Sequence, residues 1–172
     1  MKKIIIIFML LFSLNASALE PVAFVDMQKF SGLWYEIART YNSYQEKCVG
    51  SSVEYKLVNP FKYEVANRCF DTVIGGKLIE YNGTAKPTKG DNLASIDMTY
   101  YRIFTKTYHI YYLSEDYSYV LFADKDFKQL WIMSRKPTMP KEILDEILSL
   151  LRGVMNVDEL IYTPQDKEGR YK

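Results

Sequence analysis

Apolar and polar residues alternate in short runs from Leu33 to Arg135. A side-chain period of two predicts β-strands with one buried face. The runs are Leu33–Thr40, Val49–Val58, Phe61–Phe70, Lys77–Lys86, Leu93–Tyr101, Thr107–Leu113, Tyr117–Ala123 and Lys128–Arg135. Asn59-Pro60, Gly75-Gly76, Gly90-Asp91-Asn92, Ser114-Glu115-Asp116 and Asp124-Lys125-Asp126 separate them. These are turn-forming residues. Short links imply antiparallel neighbours. Eight such strands in sequence order predict an all-β domain, an up-and-down barrel or a sandwich.

The period changes near the C-terminus. Ile143, Leu144, Ile147, Leu148 and Leu151 form one stripe, and Lys141, Glu142, Asp145, Glu146 and Arg152 fall outside it. That is an amphipathic helix, with Pro140 at its start and Gly153 past its end. Its apolar stripe should pack outside the sheet on Leu130 and Ile132. Trp131, Met133 and Arg135 then face the interior. Near the other end, Asp26 suits the N-cap of a short helix before Phe30.

Residues 1–18 read as a Sec-type signal peptide. Lys2 and Lys3 precede an apolar run, Ile4 to Leu14, broken only by Ser13, and Ala16-Ser17-Ala18 is a cleavage pattern. The run is too short for a good spanning helix, which needs about 20 apolar residues. No cysteine lies near the cleavage site, so lipid anchoring is not expected. The expected product is residues 19–172, one domain, periplasmic or secreted and soluble. Cleavage removes Lys2 and Lys3 and leaves 20 basic against 21 acidic residues. A net charge of −1 without a basic run argues against nucleic acid. The chain has 15 Tyr, 9 Phe and 2 Trp, and tyrosine suits the wall of a wet-mouthed apolar cavity.

The string Gly32-Leu33-Trp34-Tyr35-Glu36-Ile37-Ala38-Arg39, preceded by Asp26 and Phe30, resembles the opening signature of the lipocalins. Asp116-Tyr117 is similar to the family's turn between strands six and seven. Leu130-Trp131-Ile132-Met133-Ser134-Arg135-Lys136-Pro137 is similar to its last-strand signature. The subgroup it looks like is the bacterial lipocalins, relatives of apolipoprotein D, some of which are outer-membrane lipoproteins. The resemblance implies an eight-stranded antiparallel calyx, closed at one end, with the helix packed outside. It also implies that Arg135 lies over Trp34 and seals the closed end, a structural role.

The function implied is binding, storage or transport of a small hydrophobic molecule in the cell envelope, with fatty acids or lysophospholipids favoured. Alternation places Ala38, Val53, Tyr55, Ile96, Met98, Tyr100, Trp131 and Met133 on the pocket wall. Asp97 and Thr99 should meet solvent. Glu36 shares a face with Trp34, either as hydrogen-bonded structure or as a polar anchor. Cys48 and Cys69 lie at adjoining ends of a predicted hairpin in an exported chain, so they read as one disulfide. The rival reading is a free inward thiol in an isomerase or epimerase on the same barrel. The chain has one histidine, His109, expected on a strand facing solvent or a neighbour. No metal site or cofactor is expected. The expected partner is the ligand, with room for transient membrane contact and a homodimer.

Overall fold

The computed structural model describes residues 19–167. The predicted signal peptide, residues 1–18, lies outside the described residues. No helix among them is long and apolar enough to cross a membrane.

The strands are β1 (Gly32–Arg39), β2 (Cys48–Asn59), β3 (Lys62–Asp71), β4 (Leu78–Lys89), β5 (Asn92–Tyr100), β6 (Phe104–Leu113), β7 (Tyr119–Ala123), β8 (Leu130–Ser134) and β9 (Ile161–Tyr162). Helix α1 is Met27–Phe30 and α2 is Lys141–Leu151. From β1 to β8 each strand pairs antiparallel with the next, and β1 also pairs with β8. The sheet therefore closes as the predicted up-and-down barrel, not as a sandwich. Closure removes the free edges along which sheets aggregate.

Strand β1 is the seam. Its first half, Gly32 to Tyr35, pairs with Tyr55 to Ser52 of β2. Its second half pairs with β8. Beyond Tyr35, where the β1–β2 pairing ends, the C-terminal segment fills in. Strand β9 pairs with Ala38 and Arg39. Thr163 N–H donates to the Ile37 carbonyl at 3.0 Å, and Gly50 N–H to the Pro164 carbonyl at 2.7 Å. The alternation of the sequence does not foretell β9, because two residues carry no period.

The closed end is built around Trp34. Asp26 accepts from Lys29 N–H at 2.9 Å, capping α1 as predicted. That helix brings Phe30 under the barrel, with its ring centroid 5.0 Å from that of Trp34. The indole N–H donates to the Phe30 carbonyl at 3.0 Å. The Arg135 guanidinium lies 3.8 Å from the Trp34 ring centroid. Its nitrogens donate to the carbonyls of Tyr117, Leu33, Lys29 and Phe30. Burial lowers its pKa to about 10, so it stays cationic at neutral pH. Gly32 has φ +99°, and a Cβ there would stand 3.3 Å from Arg135 Nη1. Glycine is needed on both counts.

Two cores share the barrel wall. The inner one includes Phe30, Trp34, Tyr63, Ile96 and Ile110. The outer one packs Leu130, Ile132 and Leu121 against Ile147, Leu148 and Leu151 of α2, so the predicted docking face of the helix is observed. Cys48 and Cys69 are bonded, with Cα atoms 5.4 Å apart. They are the chain's two cysteines, so neither supplies a free thiol.

Candidate functional site

Opposite Trp34 the barrel opens into a cavity of about 510 Å³. Ligand pockets typically span about 300–1,000 Å³. Six of the eight expected residues line it: Val53, Tyr55, Met98, Tyr100, Trp131 and Met133. Ala38 and Ile96 do not, for two different reasons.

Ala38 is displaced by a bulge. The β1–β8 pairing shifts register between Glu36 and Ala38. One extra residue, Ile37, reverses the facing of the rest of the strand. Ala38 therefore turns outward and is buried with Leu130 and Ile147 in the outer core. Arg39 comes to the same side as Glu36, its Nε 3.3 Å from Glu36 Oε1. Ile96 faces inward as expected but lies too deep. Strand β5 starts at the closed end, where Leu93 N–H donates to the Val25 carbonyl. Ile96 sits one residue pair below Met98, about 7 Å nearer that end. It is fully buried in the inner core rather than on the cavity wall.

Aromatic side chains make the far wall. Tyr108 stacks on Phe122 at 5.1 Å between centroids and meets Trp131 edge-on at 5.5 Å. Both Tyr108 and Phe122 line the cavity, and both obey the alternation of their strands. They were legible in the sequence and absent from the expected set. The Asn67 amide donates to the Tyr100 hydroxyl at 2.7 Å. Gly83 faces Tyr100 in register, and a Cβ at Gly83 would meet the Tyr100 ring at 2.8 Å. The missing side chain makes room for that ring. Burial pushes the Tyr100 and Tyr108 phenols far up and the Tyr44 phenol up to about 12. All three stay uncharged at neutral pH.

Polar contacts gather at the mouth. Gln45, on the loop between β1 and β2, ties several of them together. Its Oε1 accepts from the Trp131 indole N–H at 3.0 Å and from Asn42 Nδ2 at 2.8 Å. Its Nε2 donates to Glu36 Oε2 at 2.7 Å. Thr163 donates to Glu36 Oε1. Across the mouth, Gln129 accepts from Tyr108 at 2.6 Å and from Lys106 at 3.0 Å. Lys106 also pairs with Asp124 at 2.6 Å. Gln45 had no periodic signal, because it lies outside the predicted runs, whereas Gln129 falls in the Lys128–Arg135 run on the face of Trp131 and Met133. His109 lies away from the cavity, within 2.7 Å of the Ser95 hydroxyl. Asp97 and Thr99 face outward, bonded to Thr107 and Thr105.

Glu36 is the buried acid of the site. Burial raises its pKa above the ordinary 4.5, and the bonds from Thr163 and Gln45 and the charge of Arg39 offset only part of that. Below 4.5 the group is protonated in both the folded and the unfolded chain, and its contribution to stability is complete. As pH rises through 4.5 the unfolded chain ionises first, and stability falls until the folded group ionises too. Glu36→Gln should lose this slope. Urea unfolding of both proteins should give stability curves that lie close below that value, where glutamine resembles the protonated acid, and that separate above it as the parent alone loses stability. Parallel curves would show that Glu36 ionises normally in the fold.

Comparison with known proteins bears on this geometry. A family model described as a lipocalin-like domain matches residues 25–165. The chain is 28% identical over 151 residues to outer membrane lipoprotein Blc of Vibrio cholerae, covering 86% of this chain and 87% of that protein. It is 26% identical over 141 residues to outer membrane lipoprotein Blc of Escherichia coli K12, covering 81% and 79%. Among solved structures it is similar to insecticyanin from the tobacco hornworm Manduca sexta. The TM-score is 0.71 at 18% identity, over 88% of this chain and 86% of that one. That likeness concerns the fold.

Proposed function

The chain belongs to the lipocalin-like family, and from that premise we propose that it is an exported carrier of a fatty acid or a lysophospholipid. The observation that carries this reading is the cavity: about 510 Å³, open at one end, walled by Val53, Met98, Met133 and aromatic rings. The family and the cavity support binding of a small hydrophobic molecule. The alkyl chain is the finer inference. A flexible chain suits a wall with two methionines, and each buried CH₂ contributes about 0.8 kcal/mol. The head group would stay at the mouth among Lys106, Gln129 and Tyr108. Binding is favoured over catalysis because both cysteines are committed to the bridge, which leaves the thiol-isomerase reading without its nucleophile.

Export is supported by the pattern of residues 2–18 and by similarity to outer membrane lipoproteins. N-terminal sequencing of the mature protein should begin at Leu19; residues 1–18 retained would overturn export by cleavage. The ligand reading is tested by titrating delipidated protein with a fluorescent fatty acid. Saturable binding at one site per chain is expected. No binding, by a folded protein, would sink it.

A further inference from the structure

The turn between β5 and β6 is built in an unusual way. Tyr101 and Arg102 are its two central residues, and Ile103 N–H closes it onto the Tyr100 carbonyl at 3.2 Å. Both central residues have positive φ, 51° and 65°. That turn normally takes Asn-Gly or Gly-Gly, because bulky side chains are disfavoured there. Such local strain is found where the displayed side chains have a role. Here it displays Tyr101, Ile103 and Phe104, which are 69%, 75% and 66% exposed. All three also line the cavity mouth.

The neighbouring hairpin at the same open end repeats the theme. Between β3 and β4, Val73, Ile74 and Leu78 are exposed. Contiguous exposed apolar side chains mark contact surfaces. Cations outnumber acids on the loops of the open end. Residues 46–47, 71–78, 101–106 and 124–128 hold Lys47, Lys77, Arg102, Lys106, Lys125 and Lys128 against Glu46, Asp71, Asp124 and Asp126. Lys106 is paired with Asp124, and Asp71 lies beside Lys77, its N–H bonded to the Lys77 carbonyl at 2.9 Å, which leaves Arg102 as the cation of the β5–β6 tip. Apolar tips flanked by cations fit a lipid surface carrying anionic headgroups.

We propose that the β5–β6 and β3–β4 hairpin tips dock the mouth of the barrel onto an anionic bilayer surface, with Ile103 and Phe104 entering the interface. Docking there would place the cavity entrance against the lipid, so that an alkyl chain passes between them without crossing water. The docking stands on the hairpins, and the transfer rests on the ligand reading above.

Vesicle co-sedimentation tests it, using phosphatidylcholine alone and phosphatidylcholine mixed with phosphatidylglycerol. The protein should bind the mixed vesicles more tightly, and less so as salt is raised. The double variant Ile103→Ser/Phe104→Ser should weaken binding at least about tenfold. Arg102→Glu should weaken it on the mixed vesicles alone. Phe61→Ser, at an exposed phenylalanine of the closed end, should bind as the parent does. Phe104→Trp should be quenched by brominated lipid. Met98→Glu, which alters the cavity wall, should still bind vesicles, so failure of docking and failure of the ligand reading are separable. Parent-like binding by the folded double variant, equal loss in Phe61→Ser, or no binding to either vesicle would overturn the proposal. A dimer dissolved by the double variant, without vesicle binding, would overturn it in favour of a second copy of the chain.

Discussion

Trp34→Ala should lower the unfolding free energy by about 3–5 kcal/mol, the range for emptying a buried aromatic site. Trp34 is fully buried, and more than its own area is lost. Phe30 loses its ring partner, and the Phe30 carbonyl loses the indole N–H. Arg135 loses the ring that it covers at 3.8 Å, an interaction of about 0.5–2 kcal/mol. The site is poorly placed to collapse. Arg135 is held by four carbonyls on three separate stretches of chain, so the guanidinium resists moving into the hole. For a domain of this size each kcal/mol shifts Tm by roughly 2–4 °C. Thermal unfolding with and without ligand should show the same fall, because the plug lies at the far end from the mouth. A loss smaller than about 1 kcal/mol would show that the closed end is held without its tryptophan.

Met98→Glu should weaken fatty-ligand binding at least about tenfold, or 1.4 kcal/mol. Met98 lines the cavity, and the Tyr55 hydroxyl lies 3.9 Å from its sulfur. A carboxylate there meets the alkyl tail and must be desolvated when the tail enters. The fold should tolerate the change better than Trp34→Ala. The cavity gives the new charge room, and Lys106 stands opposite position 98 in the β5–β6 register. The readouts are the fluorescent fatty-acid titration and thermal unfolding on the same preparations. Unchanged affinity in a folded variant would show that the tail lies elsewhere in the barrel. A Tm loss as large as that of Trp34→Ala would mean that this face is packed core.

Much of this protein was legible in the order of its residues. A period of two in eight runs specifies strands, and short turns between them specify antiparallel neighbours. The stripe from Ile143 to Leu151 specifies a helix and the face it buries. Its match to Leu130 and Ile132 arises because outward apolar residues on a strand need a cover. The closed-end pair of Trp34 and Arg135 was carried by the family resemblance, and the pairing of Cys48 with Cys69 by export and hairpin geometry. Six cavity residues came from alternation, because on a closed barrel facing inward is the main condition for lining the cavity.

Tertiary structure decided what alternation does not encode. Alternation assigns a face but not a height, so Ile96 and Met98 look equivalent in sequence and are separated only by distance from the plug. Alternation also assumes an unbroken period. The bulge at Ile37 reverses it, sending Ala38 out to the helix and Arg39 in beside Glu36. Elements without a period were invisible: the two residues of β9, and Gln45 at the mouth. These positions are set by hydrogen bonds between segments far apart in the chain, such as Thr163 with Glu36. Such bonds form only once the barrel has closed, which is why the folded chain was needed to find them.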